Sequence, residues 1–214
     1  CIRDSHQTLL VSATLDGVVD SLIRRYQHEP VRHEVESKGP SVENMTHVFL
    51  QVHDMDKVKV AASIIRGADR TMVFSATKHG ADRLARKLSE EGVEARAIHG
   101  DLRQNLREKS LGAFSKGKVD ALVATDVAAR GIHVDDVDVV IHYDPPSDHK
   151  TYVHRSGRTA RAGESGVVVT LVLWNEELEV KRMQKRLGID VPPVEVFSND
   201  ERLADLHRFE GLTG

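Results

Sequence analysis

Short apolar runs alternate along most of this chain with stretches in which apolar residues recur every three or four positions. Each run is short enough for a buried strand, and the runs lie at residues 48–52, 71–74, 95–98, 121–123, 137–141 and 167–173. The stretches between them have the spacing of amphipathic helices, most clearly at about 54–65, 81–88, 102–114 and 176–187. Continuous apolar strands joined by such helices are typical of a parallel sheet. We therefore predict the α/β class, with helices on both faces of one parallel sheet.

The first 45 residues do not follow this repeat. An apolar run at 8–11 predicts a short buried strand, residues 16–26 predict a helix, and 31–35 alternate as a second short strand would. Glycine and proline punctuate residues 37–41, which we interpret as part of a linker. The predicted organisation is an N-terminal piece at 1–36, a linker at 37–45, one full domain at 46–190 and a tail without a clear pattern at 191–214.

The composition fits a globular chain of 214 residues and excludes several other classes. The formal net charge is −3 and aromatic residues make up 4%, so any nucleic-acid contact has to come from local basic clusters. The single cysteine, Cys1, excludes a disulfide framework, and the 12 histidines show no metal-binding pair, so no metal site is predicted. No apolar run is long enough to cross a membrane. We therefore expect a cytoplasmic protein without membrane contact.

Residues 154–161 form the densest basic cluster of the chain. Arg155, Arg158 and Arg161 recur every third residue, and residues three apart on a helix share a face. Like charges on one face repel each other unless an anion neutralises them, and guanidinium groups match phosphate oxygens well. Spacing alone leaves two readings open, a polyphosphate site or a basic helix face in contact with water.

A polar segment at 124–133 directly follows the predicted strand at 121–123. Polar loops at the carboxyl ends of parallel strands are common ligand sites. The alternative is an ordinary turn in which Thr125 or Asp126 caps a helix.

Residues 99–101 precede another predicted helix. Gln104 and Arg107 lie three apart and are expected on one exposed face of that helix, with Asp101 as its candidate N-cap. Alone, this segment indicates little, because exposed polar pairs on helices are common.

In their order and spacing, these segments together resemble the later sequence motifs of the DEAD-box RNA helicases, a family of superfamily 2. The resemblance covers residues 9–187, and its last motif, at 154–161, is highly specific. The earlier matches are Ser12-Ala13-Thr14, Val73-Phe74 with Thr77, His99-Gly100 with Gln104 and Arg107, and residues 124–131. The resemblance implies the C-terminal RecA-like domain of such a helicase, preceded in residues 1–36 by the end of its N-terminal RecA-like domain.

The resemblance also implies a role for each matching residue. Arg158 and Arg161 would be arginine fingers that offset negative charge on the γ-phosphate of ATP during phosphoryl transfer. The implied ATP contacts are Gly131, His133, Arg158 and Arg161. The implied contacts to the RNA sugar-phosphate backbone, which carry no sequence specificity, are Gly100, Gln104, Arg107, Thr125 and Asp126. The residues implied to couple the two domains are Ser12, Thr14, His154 and Arg155.

Two features depart from the family pattern. His133 stands where the family has an aspartate thought to bind the ATP ribose, and a neutral imidazole lacks the carboxylate charge. The chain also contains no GxxxxGK[ST] phosphate loop and no Asp-Glu-Ala-Asp sequence. It begins at Cys1, and we expect the phosphate loop and the carboxylates that hold Mg²⁺ upstream. The expected function is therefore one half of an ATP-dependent RNA helicase, inactive without its N-terminal domain.

Two other functions remain open from the sequence. A DNA-directed helicase or translocase of the same superfamily also uses paired arginines, although such proteins often have glutamine where this chain has His154. The other is a non-enzymatic RNA-binding module. The Ser12-Ala13-Thr14 segment argues against that module, because part of a missing domain has no use in it.

Overall fold

A parallel sheet forms the centre of the larger of the two units into which the chain divides, Cys1–Lys38 and Gly39–Gly214. The computed structural model describes residues 9–11, 18–33, 45–129, 134, 137–159 and 166–206. The described part of the smaller unit contains helix α1 (Val18–Tyr26), which confirms residues 18–26 of the predicted helix. Asp20 on α1 pairs with Arg24 at 2.8 Å and with Arg32 at 2.7 Å.

Seven strands make up the sheet of the larger unit. They are β1 (Met45–Gln51), β2 (Thr71–Phe74), β3 (Ala95–Ile98), β4 (Ala121–Ala124), β5 (Val139–His142), β6 (Gly166–Val172) and β7 (Val194–Glu195). Their order across the sheet is β3-β4-β2-β5-β6-β1-β7, and each neighbouring pair is parallel. Strands β2, β4, β5 and β6 are buried along their whole length, which explains their continuous apolar sequences. Because all seven point the same way, their carboxyl ends share one edge of the sheet.

Helices cover both faces of this sheet. They are α2 (Lys57–Arg66), α3 (Lys78–Glu90), α4 (Gln104–Ser115), α5 (Asp126–Ala129), α6 (His149–Ser156) and α7 (Glu177–Leu187). Neighbouring strand residues point to opposite faces, so Val48 and Leu50 pack with α2 and α3, whereas Phe49 packs with α4, α6 and α7. The predicted α/β class, with helices on both faces of a parallel sheet, is confirmed. In the described part of the chain, no helix is long and apolar enough to span a bilayer.

Helix α2 begins later than predicted, and the aspartate predicted as the N-cap of α4 is wrong. Helix α2 begins after Asp56 rather than Asp54, and the Asp56 carboxylate accepts hydrogen bonds from the Ser198 backbone N–H at 2.6 Å and hydroxyl at 2.8 Å instead of capping the helix. Helix α4 begins after Arg103, and the Asp101 carboxylate pairs with Lys78 Nζ at 2.6 Å. At the start of α4, a partner distant in sequence, Lys78, takes the carboxylate that the local pattern assigned to the helix.

The two short strands predicted near the N-terminus are wrong where the structure describes them. Residues 9–11 are not in a strand, and Leu9 and Val11 are 79% and 94% exposed. Residues 31–33 are also outside any strand. A strand is stable only beside others, and none of the described strands pairs with either segment.

Residues 194–206, which belong to the tail without a clear sequence pattern, form part of the fold. Strand β7 extends the sheet beside β1, with Val194 opposite Leu50. A short 3-10 helix (Glu201–Ala204) then packs on α2 and buries Leu203. The Ala204 backbone lies so close to Gly67 that a Cβ atom on residue 67 would collide with it. The alternation of Val194, Glu195 and Val196 is a signal from which this edge strand could have been predicted, but it was not.

Candidate functional site

Polar side chains follow three neighbouring strands at the shared carboxyl edge of the sheet. Ser75 follows β2, Thr125 and Asp126 follow β4, and Asp144 lies just beyond β5. Because β4, β2 and β5 are adjacent in the sheet, these residues come together although they lie far apart in sequence. Such an edge is the usual ligand site of a parallel α/β sheet.

Arg155 on α6 connects the loops after β4 and β5. Its Nε and Nη2 donate to the two carboxylate oxygens of Asp126 at 2.6 and 2.9 Å, and its Nη1 donates to the backbone carbonyl of Asp144 at 2.7 Å. The guanidinium also lies 5.2 Å from the centre of the Phe74 ring. The Arg155 side chain is only 4% exposed. It therefore fixes loop positions inside the domain, and its fork geometry is suited to this two-oxygen contact.

Asp144 extends the same network to the loop after β2. One of its carboxylate oxygens accepts from the Ser75 hydroxyl at 2.9 Å and from the Ala76 backbone N–H at 2.7 Å. Asp144 was not among the predicted site residues, although a carboxylate that follows a buried strand and precedes two prolines was a usable signal. Arg155 and Asp144 together hold the three loops in one arrangement.

Arg155 and Arg158, the two described arginines of the basic cluster, do not share a helix face, contrary to the prediction. Helix α6 ends at Ser156 and Gly157 follows as its C-cap, so Arg155 is helical whereas Arg158 lies beyond the helix end. Arg161 lies outside the described residues. The alternative of a basic face in contact with water is wrong for Arg155, which is buried.

A small open pocket lies beside this network. Its lining residues are Phe74, Asp126, Ala129, Thr151, His154, Arg155 and Arg158. His154 is exposed and Arg158 is half-buried, so both present polar groups at the mouth of the pocket. Arg158 adds a second guanidinium to the lining, and the planar fork of a guanidinium suits phosphate oxygens.

The start of α6 is fixed by Asp148. Its carboxylate accepts from the Thr151 backbone N–H at 2.9 Å and from the Thr151 hydroxyl at 2.8 Å. The hydrogen bond from the Thr151 backbone is the main reason that the pKa of Asp148 lies below its ordinary value. This N-cap holds the helix that carries His154 and Arg155.

His142, a buried histidine on β5, packs against Tyr152 of α6. The His142 ring meets the Tyr152 ring edge-on at 4.8 Å, and its Nδ1 lies 3.2 Å from Thr170 Oγ1. Burial, with smaller effects from Arg155 and His47, holds the pKa of His142 well below its ordinary value. The His142 ring is therefore neutral near pH 7.

Gln104 and Arg107 lie at the start of α4 but differ in environment, which corrects the prediction of one exposed face. Gln104 is exposed and its Nε2 donates to Glu108 Oε1 at 2.9 Å. Arg107 is half-buried, and its Nη2 donates to the backbone carbonyl of Ala128 on α5 at 2.7 Å. Arg107 therefore ties α4 to the segment that carries Thr125 and Asp126.

The turn after β3 presents backbone to the surface. Gly100 is exposed, and a Cβ atom there would meet only Lys78 Cε, at 3.9 Å. The neighbouring His99 is buried, with its Nε2 3.0 Å from Asp82 Oδ1. The open side of Gly100 allows a ligand to approach the main chain closely.

Several predicted site residues lie outside the described part of the chain. They are Ser12, Thr14, Gly131, His133 and Arg161. Their roles stay predictions. Of the remaining site residues, the structure brings Thr125, Asp126, His154, Arg155 and Arg158 together at one edge, with Arg107 linked to them through α5.

The sequence is similar to that of known helicases. A family model, the helicase conserved C-terminal domain, matches residues 56–163. The DEAD-box ATP-dependent RNA helicase CshA of Geobacillus kaustophilus is 37% identical over 209 residues, which cover 92% of this chain and 44% of that protein. CshA of Bacillus subtilis is 36% identical over 186 residues, which cover 86% of this chain and 38% of that protein. The chain thus spans less than half the length of these relatives.

The fold is similar to that of solved DEAD-box proteins. The structure of Saccharomyces cerevisiae Dbp5 bound to RNA and ADP BeF3 superposes with a TM-score of 0.74 at 28% identity, covering 95% of this chain and 54% of that one. The C-terminal domain of Dbp5 superposes with a TM-score of 0.67 at 30% identity, covering 78% of this chain and 98% of that one. That domain is matched almost completely, so the likeness extends over a whole domain.

Proposed function

The chain belongs to the helicase conserved C-terminal domain family, in its DEAD-box branch, and from this premise we propose that it is the C-terminal motor half of an ATP-dependent RNA helicase. The observation that carries the proposal is the Arg155 network, which holds the loops after β2, β4 and β5 beside one pocket. In the proposed function, ATP and RNA bind between this domain and an N-terminal RecA-like domain. Closure of the two domains then separates a short RNA duplex locally.

The pocket beside Arg155 is the proposed contact to ATP. Its lining by Arg158 and by the His154 ring fits a polyanion, because guanidinium and imidazole N–H groups donate to phosphate oxygens. ATP, when bound, supplies the phosphoanhydride bond that is hydrolysed. Arg158 would place positive charge near the γ-phosphate, with Arg161 as the second finger, and such a charge is worth roughly 10³–10⁵ in rate in phosphoryl-transfer enzymes.

The remaining ATP contacts are proposed from the family pattern. Gly131 and His133 would lie near the nucleotide, with the His133 imidazole forming a single hydrogen bond to the ribose where an aspartate would form a charged one. The carboxylates that hold Mg²⁺ are proposed to belong to the N-terminal domain. Ser12 and Thr14 would couple that domain to this one.

The proposed RNA surface runs from the turn after β3 to the loop after β4. Gly100 offers exposed backbone and Gln104 an exposed amide, and Thr125 follows β4 nearby. Arg107 and Asp126 already bond within the domain, so we propose that they shape this surface more than they contact RNA. Contacts of this kind reach the sugar-phosphate backbone and give no base preference.

Arg155 is proposed as a positioning residue. It is buried against Asp126 and Asp144, so it would couple the two domains through the loops it holds rather than by touching the N-terminal domain. His154, which is exposed one residue earlier, is the proposed direct contact.

Binding of single-stranded RNA and DNA of the same sequence and length tests this proposal on the chain itself. Backbone contacts from a few donors predict weak RNA binding that falls steeply as salt rises, and the 2′-hydroxyl predicts a preference for RNA. Gln104→Ala should weaken binding, whereas Gln27→Ala, in the smaller unit, should not. Equal binding of DNA would favour the DNA-directed alternative, and tight, salt-insensitive, sequence-selective binding would contradict the proposal.

A further inference from the structure

A cluster of exposed aromatic side chains lies at the other half of the same sheet edge, beyond β5. His53 follows β1, Trp174 follows β6 and Phe197 follows β7, and these three strands are neighbours in the sheet. The His53 and Phe197 rings stack with their centroids 5.2 Å apart, and the His53 and Trp174 centroids are 6.4 Å apart. Trp174 is 57% exposed and Phe197 is 50% exposed. The cluster is therefore a surface feature and not part of either core.

Further apolar surface adjoins these rings. Met55, in the same loop as His53, is 96% exposed, and Leu178, in the first turn of α7, is 61% exposed. Grouped apolar surface of this kind marks interaction sites in soluble proteins, and aromatic residues and methionine are enriched where proteins meet. We call His53, Met55, Trp174, Glu195 and Phe197 the aromatic patch.

The loops that carry the patch are tied to each other. Asp56, in the loop after β1, accepts two hydrogen bonds from Ser198, in the loop after β7. In the loop after β6, the Leu173 backbone N–H donates to Glu176 Oε2 at 2.9 Å. A surface held in this way loses little conformational freedom when a partner binds.

The charge around the patch is negative. The loops at 52–56, 173–176 and 196–200 contain no lysine or arginine. Their carboxylates are those of Asp54, Asp56, Glu176 and Asp200, of which Asp200 pairs with Arg202 at 2.6 Å and Glu176 lies 4.0 Å from Lys57. Glu195 adds another, with its Oε1 3.4 Å from His53 Nε2. The nearest lysine in sequence, Lys57, is buried with 2% exposure. An RNA phosphate backbone would meet repulsion here, whereas a basic partner would be attracted.

We propose that the aromatic patch is a docking surface for a basic, apolar segment of a partner protein. Lysine or arginine side chains of that segment would lie over the exposed rings and near the carboxylates, and its leucine or phenylalanine side chains would cover Met55 and Phe197. Cations over aromatic faces and charge-complementary rims both favour such a segment. This docking surface is separate from the proposed ATP and RNA contacts, and it does not depend on them.

Fluorescence provides a direct test, because Trp174 is the single tryptophan of the chain and its emission reports on the patch. The chain is titrated with a short synthetic peptide of Arg, Lys, Phe and Leu. The comparison probes are a peptide in which Glu replaces Arg and Lys, a peptide in which Ser replaces Phe and Leu, and single-stranded poly(U) RNA. The proposal predicts a saturable emission change with the basic apolar peptide and much weaker or no change with the others.

Variants then locate the binding, measured by anisotropy of the labelled basic apolar peptide. Phe197→Ala should weaken binding about twofold to tenfold, as loss of one aromatic contact does. Glu195→Gln should weaken it about twofold to fivefold at low salt, as loss of one surface charge does. Tyr26→Ala removes an aromatic side chain of similar exposure, 68%, from the smaller unit and should change nothing.

Three results would overturn the proposal. The first is no saturable change of Trp174 emission with the basic apolar peptide. The second is equal binding of the acidic peptide. The third is a saturable change with poly(U) that Phe197→Ala weakens while peptide binding stays unaffected, which would identify the patch as an RNA-stacking surface instead.

Discussion

Replacing Arg155 by lysine measures how strongly one guanidinium holds the loops of the candidate site together. Arg155 donates to the Asp126 carboxylate at 2.6 and 2.9 Å and to the Asp144 carbonyl at 2.7 Å. Lysine keeps the charge but cannot reproduce the planar fork, so it retains one of these three bonds at most. Two lost bonds to or from charged groups cost about 3–6 kcal/mol together. Because the Asp126 side chain is 36% exposed, water replaces part of the loss, and we expect about 2–4 kcal/mol.

Arg202 offers a matched control. Its Nε and Nη2 also bond both carboxylate oxygens of an aspartate, Asp200, at 3.0 and 2.6 Å. That pair is only two residues apart, and the Arg202 side chain is 34% exposed. Since this pair lies within one turn, holds no separate loops together and stays in partial contact with water, Arg202→Lys should cost less than about 1 kcal/mol.

Urea unfolding of both variants, followed by circular dichroism, gives the two free energies of unfolding. Arg155→Lys should lower the unfolding midpoint clearly more than Arg202→Lys, with the same dependence on urea as the original chain. Equal losses in the two variants would mean that Arg155 is not the residue that holds these loops, and the positioning role would be wrong.

Three further predictions concern activity, RNA and pH. The chain alone, with saturating RNA and Mg-ATP, should release no phosphate above background, and RNA-stimulated turnover would contradict the half-enzyme proposal. When the chain is joined to an N-terminal domain, Gln104→Ala should raise the RNA concentration needed for half-maximal stimulation and leave maximal turnover nearly unchanged, and the reverse pattern would remove Gln104 from the RNA surface. The unfolded chain protonates His142 near its ordinary pKa of 6.5, but the folded chain does not. Stability should therefore fall as pH drops below 6.5, by up to about 1.4 kcal/mol per pH unit from this group. In His142→Phe, the melting temperature should change less between pH 6.5 and 5 than in the original chain. An unchanged pH dependence would refute the role of His142 in it.

The centre of the sheet was predictable from the sequence because strands β2, β4, β5 and β6 are buried along their whole length. Strand β2 begins and ends at the predicted residues, 71–74, since a short apolar run between polar turns has few other ways to fold. The partly exposed edge strand β3 also matches its predicted bounds, 95–98. Strand β7 escaped prediction because it is two residues long and lies at the edge. Its pairing with β1 depends on a partner far away in sequence.

Which residues come together at the candidate site was more predictable than how their side chains are arranged there. The loop after β4 and residues 154–158 do meet at one edge, as parallel strands require. The inward direction of Arg155 was not predictable, because helix α6 ends at Ser156 and the spacing of three assumes that the helix continues. Asp144 bonds Ser75 across 69 residues, and no local pattern encodes a contact over such a distance.

Phosphate release by this chain, fused behind the N-terminal half of a DEAD-box relative, tests the central claim most directly. The fusion should hydrolyse ATP faster with RNA than without it. Arg158→Ala should reduce maximal turnover by roughly 10³-fold or more while RNA binding stays nearly unchanged, as expected for a charge that acts mainly in the transition state. Arg158→Lys should recover little of the loss. Full turnover of Arg158→Ala at saturating ATP and RNA would contradict the account.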